Sequence, residues 1–251
     1  MNRDYKSVDD NVIAGRNAVS ELLRSGREVD RIIVEKGRSE GSLAVILAKA
    51  ADRGIPIKEV AREKLNAMCP QTNHQGIAAV AAQVDYCSVA DILAEAERRG
   101  EPPFIVICDE IEDPHNLGAI IRTAECCGVH GVIIPKRRSC GVNFAVSKAA
   151  CGALEYMKIA RVTNLANAVD ELKAAGVWVY AADMDGVDCT KQDFSGPAAL
   201  VVGSEGHGVG RLIKEKCDVT VSLAMRGHIT SLNASVAAGV LMYEMLRSRN
   251  K

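Results

Sequence analysis

The stretch "ALVVGSEGHGVG", residues 199–210, decides how the second half of the chain folds. An apolar run ends in four glycines spaced G-x-x-G-x-G-x-G. A glycine-rich loop after a buried strand is typical of a parallel α/β domain, in which ligands bind beyond the carboxyl ends of the strands. The stretch therefore predicts a buried strand with a ligand site at its end.

The two common phosphate-binding motifs do not fit this loop. A P-loop requires Lys-Ser or Lys-Thr after its last glycine, and neither follows here. A dinucleotide fingerprint opens the first helix of a βαβ unit, whereas this loop lies late in the chain. Glu205 within the loop would repel a pyrophosphate. The ligand is therefore expected to be neutral or positive near Glu205, and a nucleotide-binding dehydrogenase is disfavoured.

Outward from the loop, the chain divides into two α/β parts. From residue 104 onward, apolar strands such as "FIVICDEI" alternate with helices, which predicts a parallel sheet covered by helices. The first eighty residues predict a smaller α/β unit, whose first helix ends at Gly26. The predicted parts are an N-terminal tail (1–10), a first domain (11–83), a linker (84–103) and a second domain (104–251). One face of the first helix is expected to carry Ala18, Val19, Leu22 and Leu23.

Composition narrows the class of protein. Apolar residues make up 48% and charged residues 25% of the 251 residues, as in a soluble globular protein. No apolar run is long enough to cross a bilayer, and no apolar segment follows the charged N-terminus, so no membrane partner and a cytoplasmic location are expected. Nine cysteines without a C-x-x-C pair, and five scattered histidines, predict neither a disulfide framework nor a metal site.

Charge alone gives no general nucleic-acid signal, because the net charge is −1. A local basic patch follows the strand-like "GVIIP" at Lys136, Arg137 and Arg138. Such a patch could contact RNA phosphates. On charge alone, a solvated turn is the better interpretation.

A second stretch, "DEIEDPHNLGAIIRTAE" (109–125), ends a strand with acids and turns at Asp113-Pro114. A helix is expected to open at Asn116. Arg122 then projects toward one edge, either to pair with Glu125 or to bind an anion such as an RNA phosphate with its planar guanidinium. The core-facing residues of this helix are expected to be Leu117, Ile120, Ile121 and Ala124.

A third stretch, "MRGHITSLNASVAAGV" (225–240), leads from a loop into a helix. Ser231 suits a helix N-cap, and Asn233 and Ser235 add polar groups in the first turn. Capping explains Ser231 but not a cluster of polar residues at the start of an apolar helix. A second ligand-facing segment is therefore expected here.

Together, the three stretches resemble the motifs of the SPOUT-class RNA 2′-O-ribose methyltransferases of the SpoU/TrmH family. The matching segments, in order, are "DPHNLGAIIRTAECCGV", "LVVGSEGHGV" and "SLNASVAAGVLMYEMLR". The N-terminal "VIAGRNAVSELL" and "NHQGIAA" resemble the small ribosomal-protein-like domain of the bacterial 23S rRNA guanosine-2′-O-methyltransferase branch.

This resemblance implies a particular fold and reaction. The fold would be a C-terminal parallel-sheet domain with a deep trefoil knot, preceded by a small ribosomal-protein-like α/β domain that binds the RNA substrate. The reaction would transfer a methyl group from S-adenosylmethionine to the 2′-hydroxyl of a guanosine ribose in 23S rRNA. The family also implies a homodimer with active sites at the subunit interface.

The resemblance assigns roles to nine residues. Arg122 would bind a phosphate and stabilise the developing alkoxide, because an arginine stays protonated. The general base would then be either water or a phosphate oxygen. At position 203, a glycine would let the cofactor approach the backbone closely. The implied cofactor contacts are Gly203, Leu223, Leu232 and Ser235; the implied polar residues that shape the site and hold Arg122 are Asn116, Glu205, Ser231 and Asn233.

Two alternatives remain at this level. One is a methyltransferase of the same family that acts on tRNA or on another rRNA site. The other is an RNA-binding or ribosome-assembly factor that keeps the fold without catalysis, against which the retained polar motif residues argue.

Overall fold

The computed structural model describes residues 12–24, 29–38, 40–70, 73–81, 84–229 and 231–250. The chain divides between Asp85 and Tyr86 into two compact units, and residues 142–144 group with the first of them. This division falls within the predicted linker, and the polar helix of that stretch belongs to the second unit. The predicted N-terminal tail and the helix end at Gly26 lie outside the described residues.

The first unit contains a four-stranded mixed sheet in the order β1-β4-β2-β3. β1 is a three-residue strand that pairs antiparallel with β4, and its shortness explains why no strand was predicted there. In the first helix Val19, Leu22 and Leu23 are buried as expected, whereas Ala18 is exposed. The elements of this unit are β1 (Val12–Ala14), α1 (Arg16–Arg24), β2 (Val29–Glu35), α2 (Ser42–Asp52), β3 (Ile57–Val60), α3 (Arg62–Met68) and β4 (Ile77–Ala81).

The second unit alternates strands and helices, as its sequence predicts. Short 3-10 helices lie at Ala153–Glu155 and Cys189–Lys191. The other elements are α4 (Val89–Arg99), β5 (Phe104–Cys108), α5 (Pro114–Cys126), β6 (Gly131–Pro135), α6 (Phe144–Ala150), β7 (Lys158–Val162), α7 (Leu165–Ala174), β8 (Trp178–Asp188), β9 (Ala198–Val202), α8 (Arg211–Lys216), β10 (Val219–Ser222) and α9 (Ala234–Arg249).

The sheet of the second unit has six parallel strands in the order β10-β8-β9-β5-β6-β7. Every residue of β5 and β9 is buried, which is why both strands are continuous apolar runs in the sequence. Cys108, the last residue of β5, pairs with Val202, the last residue of β9. The loops that follow these two strands therefore start side by side at the carboxyl edge.

Helix α5 begins at Pro114, two residues before the predicted start at Asn116. The Asp113 side chain caps it by accepting a hydrogen bond from the His115 N–H at 2.6 Å. Proline is favoured in the first turn because the N–H that it lacks has no partner within the helix. The earlier start adds half a turn before Asn116.

Strand β8 is interrupted in its pairing with β10. Ala181 pairs with Thr220 and Val187 with Val221, so residues 182–186 have no opposite residues on β10. This five-residue excursion was not predicted, because "VWVYAAD" indicates an uninterrupted strand.

None of the described helices is long and apolar enough to span a membrane.

Candidate active site

The glycine-rich loop after β9 closes on itself. The Ser204 N–H donates to the Gly208 carbonyl at 3.1 Å, and the Gly208 N–H donates to the Ser204 carbonyl at 2.9 Å. Gly208 has a φ of 63°, a left-handed conformation that favours glycine. Two N–H groups of the loop are thus used within it, and the carboxylate of Glu205 lies exposed at its tip, an arrangement that disfavours phosphate binding.

Gly203 is required by the loop itself. A Cβ at position 203 would lie 1.9 Å from the Gly208 carbonyl carbon and 2.2 Å from the Val209 nitrogen. The expectation that a bound ligand also excludes a side chain here stays a prediction. Glycine is needed because the two ends of the loop touch, although Gly203 also lines the cavity described below.

The three sequence motifs meet in a cluster of side chains. The Asn116 Nδ2 atom donates to Glu205 Oε1 at 3.0 Å. The Asn233 Nδ2 atom donates to Asn116 Oδ1 at 2.9 Å and to the same Glu205 oxygen at 2.5 Å. Asn116 is buried, whereas Glu205 and Asn233 are exposed. Hydrogen bonds thus join the first turn of α5, the loop after β9 and the N-terminus of α9.

The N-cap of α9 is Asn233, and the interpretation of Ser231 as the cap was wrong. Asn233 Oδ1 accepts hydrogen bonds from the Ser235 N–H at 3.0 Å and from the Val236 N–H at 3.2 Å. Asn233 caps the helix through its oxygen and binds the cluster through its nitrogen. Ser231 lies two residues before the cap, in the wall of the cavity.

A cavity of about 410 Å³ lies at the carboxyl edge of β8, β9 and β10. Its walls are mostly apolar, with two carboxylates, Asp183 and Glu205. Ser235, a predicted cofactor contact, instead lines a separate shallow groove between α5 and α9, and its hydroxyl donates to Asn233 Oδ1 at 2.6 Å. The predicted residues that the structure brings to the cavity are Gly203, Glu205, Leu223, Ser231 and Leu232.

The excursion in β8 supplies a wall of the cavity that the sequence patterns did not indicate. Ala182, Asp183 and Met184 line it. Lys214 Nζ binds Asp183 Oδ2 at 2.9 Å and Asp185 Oδ1 at 2.6 Å. The two hydrogen-bonded carboxylates raise the pKa of Lys214, Asp185 more strongly than Asp183. Lys214 thereby ties the excursion to α8.

Arg122 lies on the exposed side of α5, outside the residues that line the cavity. The four residues predicted to face the core, Leu117, Ile120, Ile121 and Ala124, have no exposed surface. Among the described residues the hydrogen-bond partner of Arg122 is neither Glu125 nor the polar cluster. One guanidinium nitrogen instead lies 3.4 Å from the Cys151 sulfur.

Asp109 is a buried carboxylate at the same edge that the sequence analysis did not single out. Its Oδ2 accepts a hydrogen bond from the Gly210 N–H at 2.8 Å, and its own N–H donates to the Val202 carbonyl at 2.8 Å. Burial raises the pKa of Asp109, partly offset by the Gly210 hydrogen bond. An acid directly after a buried strand was the signal that could have identified it. Asp109 fastens the far end of the glycine loop to β5.

The basic turn after β6 is only partly free. Arg138 binds Glu110 at 3.1 Å, and both residues have positive φ angles. Neither Lys136 nor Arg137 has an ion-pair partner within the described ranges. In the first unit, Arg16 donates to the Gln75 carbonyl and the Ser42 hydroxyl rather than to a carboxylate.

The fold and the cavity define a class, a parallel α/β domain that binds an organic ligand at the carboxyl edge of its sheet. Within the described ranges, no group of His, Cys, Asp and Glu side chains could hold a metal ion. The Glu205 carboxylate beside apolar walls suits a ligand with a positive centre and an apolar or aromatic part, since Asp183 is already paired with Lys214.

Comparisons with known proteins specify the family. The SpoU rRNA Methylase family matches residues 103–243, and the RNA 2′-O ribose methyltransferase substrate-binding family matches residues 12–87. The chain is 46% identical over 239 residues to a protein of Bacillus subtilis named as a TrmH family tRNA/rRNA methyltransferase, which covers 95% of this chain and 96% of the relative. A Staphylococcus aureus (strain Mu50) relative of the same name is 41% identical over 244 residues, 97% and 98% of the two chains. The chain belongs to the SpoU/TrmH family of RNA methyltransferases.

Solved structures share the fold. The AdoMet-bound rRNA methyltransferase from Sinorhizobium meliloti has a TM-score of 0.59 and 26% identity, over 94% of this chain and 86% of that one. The SpoU methyltransferase AviRb from Streptomyces viridochromogenes, in complex with AdoMet, has a TM-score of 0.60 and 24% identity, over 95% and 90%. A structure described as the A. aeolicus TrmH/SpoU tRNA modifying enzyme has a TM-score of 0.55 and 28% identity, over 64% of this chain and 84% of that one.

Proposed function

We propose that the protein transfers a methyl group from S-adenosylmethionine to the 2′-hydroxyl of a guanosine ribose in 23S rRNA. The observation that carries the proposal is the cavity at the sheet edge, joined through Glu205 to the side-chain cluster of Asn116 and Asn233. The family match of the first unit to a 2′-O-ribose methyltransferase substrate-binding segment supports the ribose hydroxyl as the acceptor.

The cavity suits S-adenosylmethionine. The Glu205 carboxylate, whose partners are the neutral amides of Asn116 and Asn233, favours a cationic ligand. Asp183, by contrast, is already paired with Lys214. Leu223, Leu232 and Leu241 offer apolar walls to an adenine ring. Among the described residues, no hydrogen bond is found for the backbone of Leu223. Its N–H and carbonyl are therefore available to a ligand. The bound cofactor would supply an activated methyl group.

Arg122 is proposed as the catalytic arginine. Its exposed guanidinium has no carboxylate partner among the described residues, so its charge is available to an RNA phosphate and to the developing alkoxide. The leaving proton would go to water or to a phosphate oxygen, because the arginine itself remains protonated. The side-chain cluster would hold the loops of the cavity together rather than hold Arg122.

Homodimerisation is proposed as part of this function. Arg122 does not line the cavity of its own chain, so a site completed by a second copy would bring an arginine to the cofactor. The exposed apolar face of α5 and α9, which includes Val236, Val240 and Tyr243, suits the contact between two copies.

The trefoil knot in the second unit also remains a proposal from the family resemblance.

RNA binding by the first unit, and catalysis by the second, are proposed from the two family matches. Lys136 and Arg137 at the sheet edge offer free positive charge to the RNA backbone. All nine cysteines are free thiols, which supports a cytoplasmic location.

A tRNA substrate is the second candidate. The Bacillus and Staphylococcus relatives carry names that include both tRNA and rRNA, and the A. aeolicus structure is described as a tRNA modifying enzyme. The ribosomal-protein-like resemblance of the first unit favours rRNA.

The test is methyl transfer from tritiated S-adenosylmethionine to 23S rRNA and to bulk tRNA, followed by mapping of the labelled nucleotide. We expect label on a guanosine 2′-oxygen of 23S rRNA. Label on tRNA would select the second candidate, and absence of transfer to either RNA would contradict both.

Arg122→Ala provides the residue-level test of the catalytic assignment. We expect its affinity for S-adenosylmethionine, measured by calorimetry, to remain close to that of the wild type while methyl transfer falls below detection. Full activity in this variant would refute the assigned role.

A further inference from the structure

The residue that touches Arg122 has an unusual backbone conformation. Cys151 directly follows α6 and has a φ of 49°, and Gly152 after it has a φ of 90°. Any residue with a Cβ is strained in this left-handed region, which glycine occupies freely. Local strain kept at a non-glycine residue indicates a function for its side chain.

The Cys151 side chain makes two hydrogen bonds, one as acceptor and one as donor. The sulfur lies 3.4 Å from a terminal nitrogen of Arg122, and the thiol lies 3.5 Å from the Lys148 carbonyl, to which it donates. The thiol can thus donate toward α6 while its sulfur accepts from the guanidinium. Its contacts link the end of α6 to the middle of α5.

Close packing of the two helices fixes this link. A Cβ at Gly118, one turn before Arg122, would lie 2.5 Å from the Ala149 Cβ and 2.7 Å from the Val146 carbonyl oxygen. Only glycine at position 118 allows α6 to approach α5 so closely. The approach places Cys151 within reach of Arg122.

A thiol that donates to a carbonyl differs from the usual partners of an exposed arginine. A carboxylate would orient the guanidinium but would also neutralise its charge toward a phosphate. A thiol is a weak acceptor, so it can restrict the rotamers of the side chain and leave the positive charge uncompensated. This combination suits an arginine that must be ordered before an anion arrives.

We infer that Cys151 is a positioning residue for Arg122, holding the guanidinium in the orientation used in methyl transfer. The inference rests on the catalytic role proposed for Arg122. Cys151, and not the polar residues of the three motifs, then holds Arg122 in place.

The decisive variant is Cys151→Gly, because it removes the thiol and relieves the backbone strain at once. We expect kcat to fall by about 10- to 100-fold, the range that misplacement of a catalytic group produces. The melting temperature should stay the same or rise, and the Kd for S-adenosylmethionine should not change. Cys151→Ser, which keeps an acceptor at the same place, should retain most of the wild-type kcat.

Cys126→Ser is the matched control, since Cys126 is another exposed cysteine, on α5 itself, and should leave kcat unchanged. Wild-type kcat in Cys151→Gly, or a kcat and a melting temperature that fall together, would overturn the inference. Arg122→Ala measured in parallel separates the two proposals. If Arg122→Ala is inactive while Cys151→Gly has wild-type kcat, only the positioning role fails; if Arg122→Ala is fully active, the proposed role of Arg122 fails.

Discussion

Replacing Gly203 by alanine is expected to open the glycine loop and to abolish binding of S-adenosylmethionine. The added Cβ would lie 1.9 Å from the Gly208 carbonyl carbon and 2.0 Å from its oxygen, distances at which atoms overlap. The contact is with backbone, so no side-chain rotation can relieve it. The two segments of the loop must separate instead.

The cost can be worked from what separation breaks. The two hydrogen bonds between Ser204 and Gly208 contribute about 0.5–1.5 kcal/mol each. Overpacking in the surrounding buried residues adds about 1–3 kcal/mol. The sum is roughly 2–6 kcal/mol, and at about 2–4 °C per kcal/mol the melting temperature should fall by at least about 4 °C.

Gly206→Ala is the matched control, because a Cβ there meets nothing within 4 Å and the φ of Gly206 is not in the left-handed region. Calorimetric titration with S-adenosylmethionine and thermal unfolding would be measured on both variants. Gly203→Ala should lose cofactor binding and stability. Gly206→Ala should keep wild-type stability and still bind the cofactor, although Gly206 lines the cavity. Wild-type cofactor affinity in Gly203→Ala, or equal damage in the two variants, would refute the explanation of Gly203.

Two further substitutions test the loops around the cavity. Burial raises the pKa of Asp109 in the folded chain, so the unfolded chain ionises first as the pH rises. The free energy of unfolding of Asp109→Asn, measured in urea, should therefore equal that of the wild type below the ordinary aspartate pKa of about 4. At higher pH the variant should be the more stable protein, and a variant that is less stable than the wild type there would contradict the reasoning. Asn233→Asp should keep the cap of α9, but it replaces an amide donor to Glu205 with a second carboxylate. The melting temperature of Asn233→Asp should stay close to that of the wild-type protein while its affinity for S-adenosylmethionine falls. Asn233→Ala should also lose about 1 kcal/mol of stability, because the cap of α9 is missing. Unchanged cofactor affinity in Asn233→Asp would argue against a role for the cluster.

Periodicity and turn residues predicted most of the second unit because they are local signals. Buried parallel strands require continuous apolar runs, so β5 and β9 were evident from "FIVIC" and "AALVV". The core face of α5 followed from helical spacing. Short elements escaped, since the three residues of β1 and the six of α8 are too few to establish a period.

The candidate site was only partly predictable for a different reason. The sequence motifs include Asn116, Glu205 and Asn233, but the hydrogen bonds that join these residues span 28 to 117 positions along the chain. Asp183 reaches the cavity through an excursion in β8 that no local pattern marks. Contacts between distant loops depend on how the strands are ordered in the sheet, and that order is not a local property.

The sequence by itself determined the alternation of strands and helices, the glycine loop and the polar residues that follow the buried strands, since these depend on spacing along the chain. Only the tertiary structure decided why Gly203 must be glycine, that Asn233 caps α9, that Ser235 lies away from the cavity and that Arg122 rests against Cys151. Each of these depends on two segments that approach within a few ångströms after the chain has folded. Steric exclusion and hydrogen bonding act at that distance, whatever the separation in sequence.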